Sequence, residues 1–121
     1  MYKQTVNFWV CGDLEKISLL LGAEPTGTRI KQPYDYWDYT IESDECGDSI
    51  NEMISFLNDI GEKILSLNGN FEFGLTVVIE SDMDTGEVFH MLEPEEMAFL
   101  SKYGIAVAFS TISLNENRSS T

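Results

Sequence analysis

Residues 71–80 constrain the fold more than any other stretch of this chain. Phe71, Phe73, Leu75, Val77 and Ile79 alternate with Glu72, Gly74, Thr76, Val78 and Glu80. A period of two places the apolar set on one face of an extended strand. A strand that is apolar on one side only belongs to a sheet with one covered face. Two further stretches repeat the pattern. In residues 2–10, Tyr2, Val6, Phe8 and Val10 lie opposite Lys3, Thr5, Asn7 and Trp9. In residues 36–42, Trp37, Tyr39 and Ile41 lie opposite Tyr36, Asp38, Thr40 and Glu42. The cover must come from helices, and the chain supplies them between its strands.

Leu14, Ile17, Leu20 and Leu21 recur at helical spacing after Asp13, a good N-cap, and Gly22 closes the helix in a left-handed conformation. Glu24 to Thr28 reads as a loop, and residues 29–35, with Pro33, carry no clear pattern. Ser49 and Glu52 match the Ser-x-x-Glu capping box. Ile50, Met53, Ile54, Leu57, Ile60, Ile64 and Leu67 then hold helical period, with a bend expected at Gly61 and an end at Asn68-Gly69. Ser81 to Gly86 reads as a turn into a short strand, Glu87 to Met91. Glu93-Pro94-Glu95-Glu96 starts a helix, because Pro suits its first position and the acids face its positive end. Lys102 and Gly104 mark its stop, and residues 105–113 form a last strand.

The expected order is β-α-β-α-β-β-α-β. This is an α+β fold of ferredoxin-like type, a mainly antiparallel sheet with helices on one face. The 121 residues suit a single domain, residues 1–114, followed by a polar tail, residues 115–121.

The opening Phe8-Trp9-Val10-Cys11-Gly12-Asp13, the helix ending Leu21-Gly22-Ala23-Glu24-Pro25 and the aromatic strand Tyr36-Trp37-Asp38-Tyr39-Thr40 resemble the DUF4279 family of small bacterial proteins. The long amphipathic helix, the central strand and the Tyr103-Gly104-Ile105 step fit as well, so the resemblance covers roughly residues 6–113. The stretch Arg29 to Pro33 departs from it, being shorter and less basic than the family loop. The resemblance implies no catalytic residues. It does imply a context, since such domains recur beside bacterial toxin genes as candidate immunity proteins.

Little in the chain points to catalysis. Cys11 and Cys46 are too far apart for a disulfide framework, and with His90 they do not supply a four-ligand zinc site. Both thiols are expected to be free, and acidic neighbours make Cys46 a poor nucleophile. His90, between Phe89 and Met91, has no Gly-x-Ser-x-Gly partner motif and reads as a packed or surface histidine. Asp82, Asp84 and Glu93 hint at a calcium loop, but Gly86 and Glu87 fall one residue early, and a turn between strands explains the same residues. No phosphate-cradling glycine motif is present. Neither a metal nor a cofactor is expected.

Charge carries the functional hint. The chain has 21 acidic and 7 basic residues, a net charge of −14. Such a chain repels phosphate backbones and anionic lipid, so direct nucleic-acid or membrane binding is not expected. Its first residues run straight into a strand pattern without a signal-peptide core, so the expected location is cytoplasmic. Between Gln32 and Ser101 stand 17 acids and one base, Lys63. Tyr34, Asp35, Tyr36, Asp38, Glu42, Asp44, Glu45, Asp48 and Glu52 form the candidate partner-binding set, combining tyrosines with unbalanced carboxylates. The expectation is a non-enzymatic binding protein that neutralises a basic toxin, such as a nuclease, by occluding its substrate surface. The alternative is a small-molecule-binding domain or enzyme with a cleft over the sheet.

Overall fold

The computed structural model of the protein describes residues 2–31, 33–44, 48–81 and 92–113. Among these, the strands are β1 (Tyr2–Cys11), β2 (Gly27–Lys31), β3 (Tyr34–Ser43), β4 (Glu72–Ser81) and β5 (Val107–Ser113). The helices are α1 (Leu14–Leu21), α2 (Ser49–Ile60) and α3 (Pro94–Lys102), and a 3₁₀ segment, Gly61–Leu67, follows α2. The strands form one sheet in the order β2-β3-β1-β4-β5. All pairs are antiparallel except β4 with β5, which run parallel with α3 between them in sequence. The fold is α+β with a mainly antiparallel sheet.

The alternation in β1 does what its period requires. Val6, Phe8 and Val10 are wholly buried on one face, where they meet Trp37 of β3 and Leu75, Val77 and Ile79 of β4. Ile17 and Leu21 of α1, Met53 and Leu57 of α2, Ile64 and Leu67 of the 3₁₀ segment and Leu100 of α3 complete this core. Phe56 of α2 stacks on Tyr39 of β3, with ring centroids 3.6 Å apart. Among the described residues, no helix packs on the opposite face of the sheet, called the open face below.

Local chemistry sets the element ends. Asp13 Oδ1 accepts from the Lys16 amide at 3.1 Å, and Gly22, with φ of 64°, donates to the Ser18 carbonyl at 2.9 Å. At α2 the cap is Asp48 rather than the expected Ser49: Asp48 Oδ1 accepts from the Asn51 amide at 2.9 Å. The Ser49 hydroxyl turns inward and donates to Gln4 Oε1 of β1, so it is buried and tied to the sheet. The helical period breaks at Gly61, which adopts φ of 61°, and the chain continues as 3₁₀ turns. At α3 the Glu93 amide donates to Glu96 Oε1 at 2.8 Å, and Pro94 takes the first turn as expected.

Two sequence expectations need revision or fall elsewhere. The unpatterned residues around Arg29 contain a strand, β2, which pairs with β3 from Gly27↔Asp38 to Lys31↔Tyr34. The turn and strand expected over residues 82–91, with the calcium-loop reading and His90, lie outside the described residues, as does Cys46.

Gly12 joins β1 to α1 with φ of 151°, and a Cβ there would lie 2.6 Å from the Phe71 ring. Gly12→Ala is expected to cost about 2 kcal/mol through backbone strain and the displaced ring. Gly27→Ala, whose Cβ would meet nothing within 4 Å at an ordinary φ, should stay within about 0.5 kcal/mol of wild type. Parallel urea melts read both, and equal losses would refute the strain argument.

Candidate functional site

The open face of the sheet gathers the chain's polar chemistry. Strand alternation sends Lys3, Thr5, Asn7 and Trp9 of β1 to this side, with Tyr36, Asp38, Thr40 and Glu42 of β3 beside them. The β2 register adds Arg29 opposite Tyr36 and Lys31 opposite Tyr34.

Asp38 is the centre of this face. It is 7% exposed, yet it carries a full set of partners. Arg29 Nε donates to Oδ2 at 2.7 Å and Arg29 Nη2 donates to Oδ1 at 2.9 Å, a two-pronged pair. Asn7 Nδ2 donates to Oδ1 at 3.0 Å, and the Thr40 hydroxyl in turn donates to Asn7 Oδ1 at 3.1 Å. The Asp38 hydrogen bond holds the Arg29 guanidinium charged, above its ordinary pKa, against the opposing effect of burial.

Arg29 also lies over the Tyr36 ring, 4.5 Å from its centroid, and Trp9 meets the same ring edge-on at 6.1 Å. Trp9 lies close over Gly74 of β4, where a Cβ would approach the indole to 3.1 Å and the Ala106 carbonyl to 3.3 Å. A side chain at position 74 would lift the indole from the sheet. Trp9, Arg29, Lys31, Tyr36 and Thr76 line a shallow pocket of about 310 Å³. A second hollow of about 580 Å³ lies past the end of β1, between Cys11, Tyr34, Asn70 and Glu72. Cys11 is half-buried and carries a free thiol.

The nine candidate partner-binding residues do not share one surface. Tyr34, Tyr36, Asp38 and Glu42 fall on the open face, whereas Asp35 falls on the helix side of β3. Asp38 is enclosed and its charge is met by Arg29, so it offers no free carboxylate. Glu42 is exposed and lies 3.4 Å from Lys3, a surface pair of little energetic weight. The step from β3 into α2 brings Glu42, Asp44, Asp48 and Glu52 to one end of the sheet, all exposed. Glu45 lies outside the described residues. Trp9, Asn7, Arg29 and Lys31 were absent from the set. Arg29 and Lys31 carried one signal, two cations two residues apart in an acidic chain, while Asn7 and Trp9 showed only their outward facing in β1.

Among the described residues, no group of three His, Cys, Asp or Glu side chains is placed to hold a metal ion, and no helix is long and apolar enough to cross a membrane. Neither a curated protein nor a solved structure matches the chain. A family model, the domain of unknown function DUF4279, matches residues 2–114, nearly the whole length. The strand with its Gly-Asp turn, the capped helix and the Trp-centred strand are thus those of a member of the family, and the chain belongs to DUF4279.

Proposed function

We propose that this protein is a non-enzymatic bacterial binding protein for a basic partner, acting as an immunity protein that covers the substrate surface of a toxin such as a nuclease. The observation that supports this reading most is the exposed acidic end of the sheet, formed by Glu42, Asp44, Asp48 and Glu52. Lys3 is the base that an ion pair places there, and residues 33–62 contain no lysine or arginine. A nuclease presents a basic groove to its substrate, and an acidic surface is complementary to it. Tyr34 of the candidate set is 61% exposed but stands at the opposite end of β3 from Glu42, beside Lys31, so it is not part of this acidic end.

The test is capture of the basic product of an adjacent gene by the intact protein, followed by association kinetics. Reversing Glu42, Asp44 and Glu52 to lysine adds two charges each and moves the net charge from −14 to −8. The association rate at low salt should fall by about 10- to 100-fold, with a smaller change in dissociation. Asp48 is left intact because it caps α2. Failure of capture, or an association rate indifferent to the three reversals, would sink the reading.

A further inference from the structure

We propose that the pocket over the open face of the sheet is a binding site for a small, flat carboxylate. The inference is independent of the basic partner proposed above, since it concerns a cationic spot on an otherwise acidic chain. Two of the seven basic residues, Arg29 and Lys31, stand two apart on the same face of β2 and both line this pocket.

Their surroundings prepare them differently. Arg29 spends Nε and Nη2 on Asp38, which fixes the guanidinium plane and leaves the Nη1 hydrogens for another acceptor. Its side chain remains 41% exposed, so those donors are reachable from solvent. Lys31 is exposed, and no described side chain pairs with it. Asp38 cancels one of the two cations, so the pocket holds one net positive charge, the complement of a monoanion. Trp9 and Tyr36 supply aromatic walls, and Thr76 on β4 adds a hydroxyl across from the cations. A volume near 310 Å³ is at the lower end of the usual range for small-ligand pockets. A flat body against the aromatic rings with its carboxylate between Arg29 Nη1 and Lys31 Nζ uses both cations and both rings. A phosphate leaves the rings without a partner.

The probe is benzoate, with benzamide as its neutral equivalent and inorganic phosphate as the anion without a ring. Amide and indole NMR shifts of the full chain report where each binds. Benzoate should move the Trp9 indole N–H while leaving that of the buried Trp37 in place. It should bind about tenfold more tightly than benzamide or phosphate, and Lys31→Gln should remove most of that advantage. Lys31 is exposed and no described side chain pairs with it, so this variant should leave the fold intact, and an unchanged Trp37 signal confirms that. Benzamide binding as well as benzoate would remove the carboxylate from the assignment. Phosphate binding as well would remove the flat body. Shifts away from Trp9, or affinity unmoved by Lys31→Gln, would overturn the site.

Discussion

Trp37→Ala should lower the unfolding free energy by about 3–5 kcal/mol, the range for deleting a large buried aromatic side chain. Trp37 is wholly buried on the covered face of β3, meets Phe8 edge-on at 6.3 Å and donates from Nε1 to Ser18 Oγ of α1 at 3.0 Å. It therefore joins the sheet to the first helix through both packing and a polar contact. The truncation opens a cavity in the core and strands the Ser18 hydroxyl's neighbourhood at once. A domain of this size has about 5–15 kcal/mol to lose, so the variant sits near the edge of folding at room temperature. Urea denaturation reads the loss as a lowered midpoint with an unchanged slope. Trp37→Phe, which keeps most of the volume and forfeits the hydrogen bond, should lose about 1–2 kcal/mol. A Trp37→Ala protein with wild-type midpoint would refute the packing described for this face.

Asp38→Ala carries the second-largest effect, an expected loss of about 2–3 kcal/mol. The substitution leaves the Arg29 guanidinium over Tyr36 and the Asn7 amide without their shared acceptor. Arg29 is 41% exposed and can turn to water, which keeps the loss below that of a fully buried pair. A double-mutant cycle with Arg29→Ala isolates the pair, with an expected coupling of about 1–2 kcal/mol. The pH dependence has a definite sign. The folded pKa of Arg29 is raised, chiefly by the Asp38 hydrogen bond. A raised cationic pKa contributes its stability fully below the unfolded value and loses it only as pH climbs through the folded one. The difference between wild type and Arg29→Ala should accordingly hold level from about pH 7 to pH 10, since arginine titrates well above that window. A difference that shrinks across it would contradict the assigned charge state.

The strands β1, β3 and β4 were legible because each buries one face, and burial on one face imprints a period of two on the sequence. β2 was not legible for the complementary reason. Its five residues are mostly exposed on both sides, so no side-chain pattern marks it, and its extended form comes from hydrogen bonds to β3. The cap of α2 turned on a contact remote in sequence: Ser49 is a good cap by type, but Gln4, 45 residues away, takes its hydroxyl. The candidate site divided along the same line. The facing of Tyr36 and Asp38 followed from alternation within one strand. The partnership of Asp38 with Arg29 and Asn7 depends on the registers of β3 with β2 and β1, which no local pattern encodes. The count of acids was likewise plain from the chain, while their division between a neutralised centre and an exposed end required the fold.

The position of β1 in the sheet has a kinetic consequence. It is the central strand, and each of its pairings spans a long stretch of chain. The partners in β3 are 25 to 39 residues away (Cys11 to Tyr36, Gln4 to Ser43), and those in β4 are 61 to 79 away (Cys11 to Glu72, Tyr2 to Ser81). During synthesis β1 must wait for most of the domain before its second edge is satisfied, with Val6, Phe8 and Val10 exposed in the interval. Contacts so distant close slowly, because loop entropy is lost before they form. Folding of this protein should thus be slow for a domain of its size, and the interval before β4 is available is when Val6, Phe8 and Val10 are most open to aggregation.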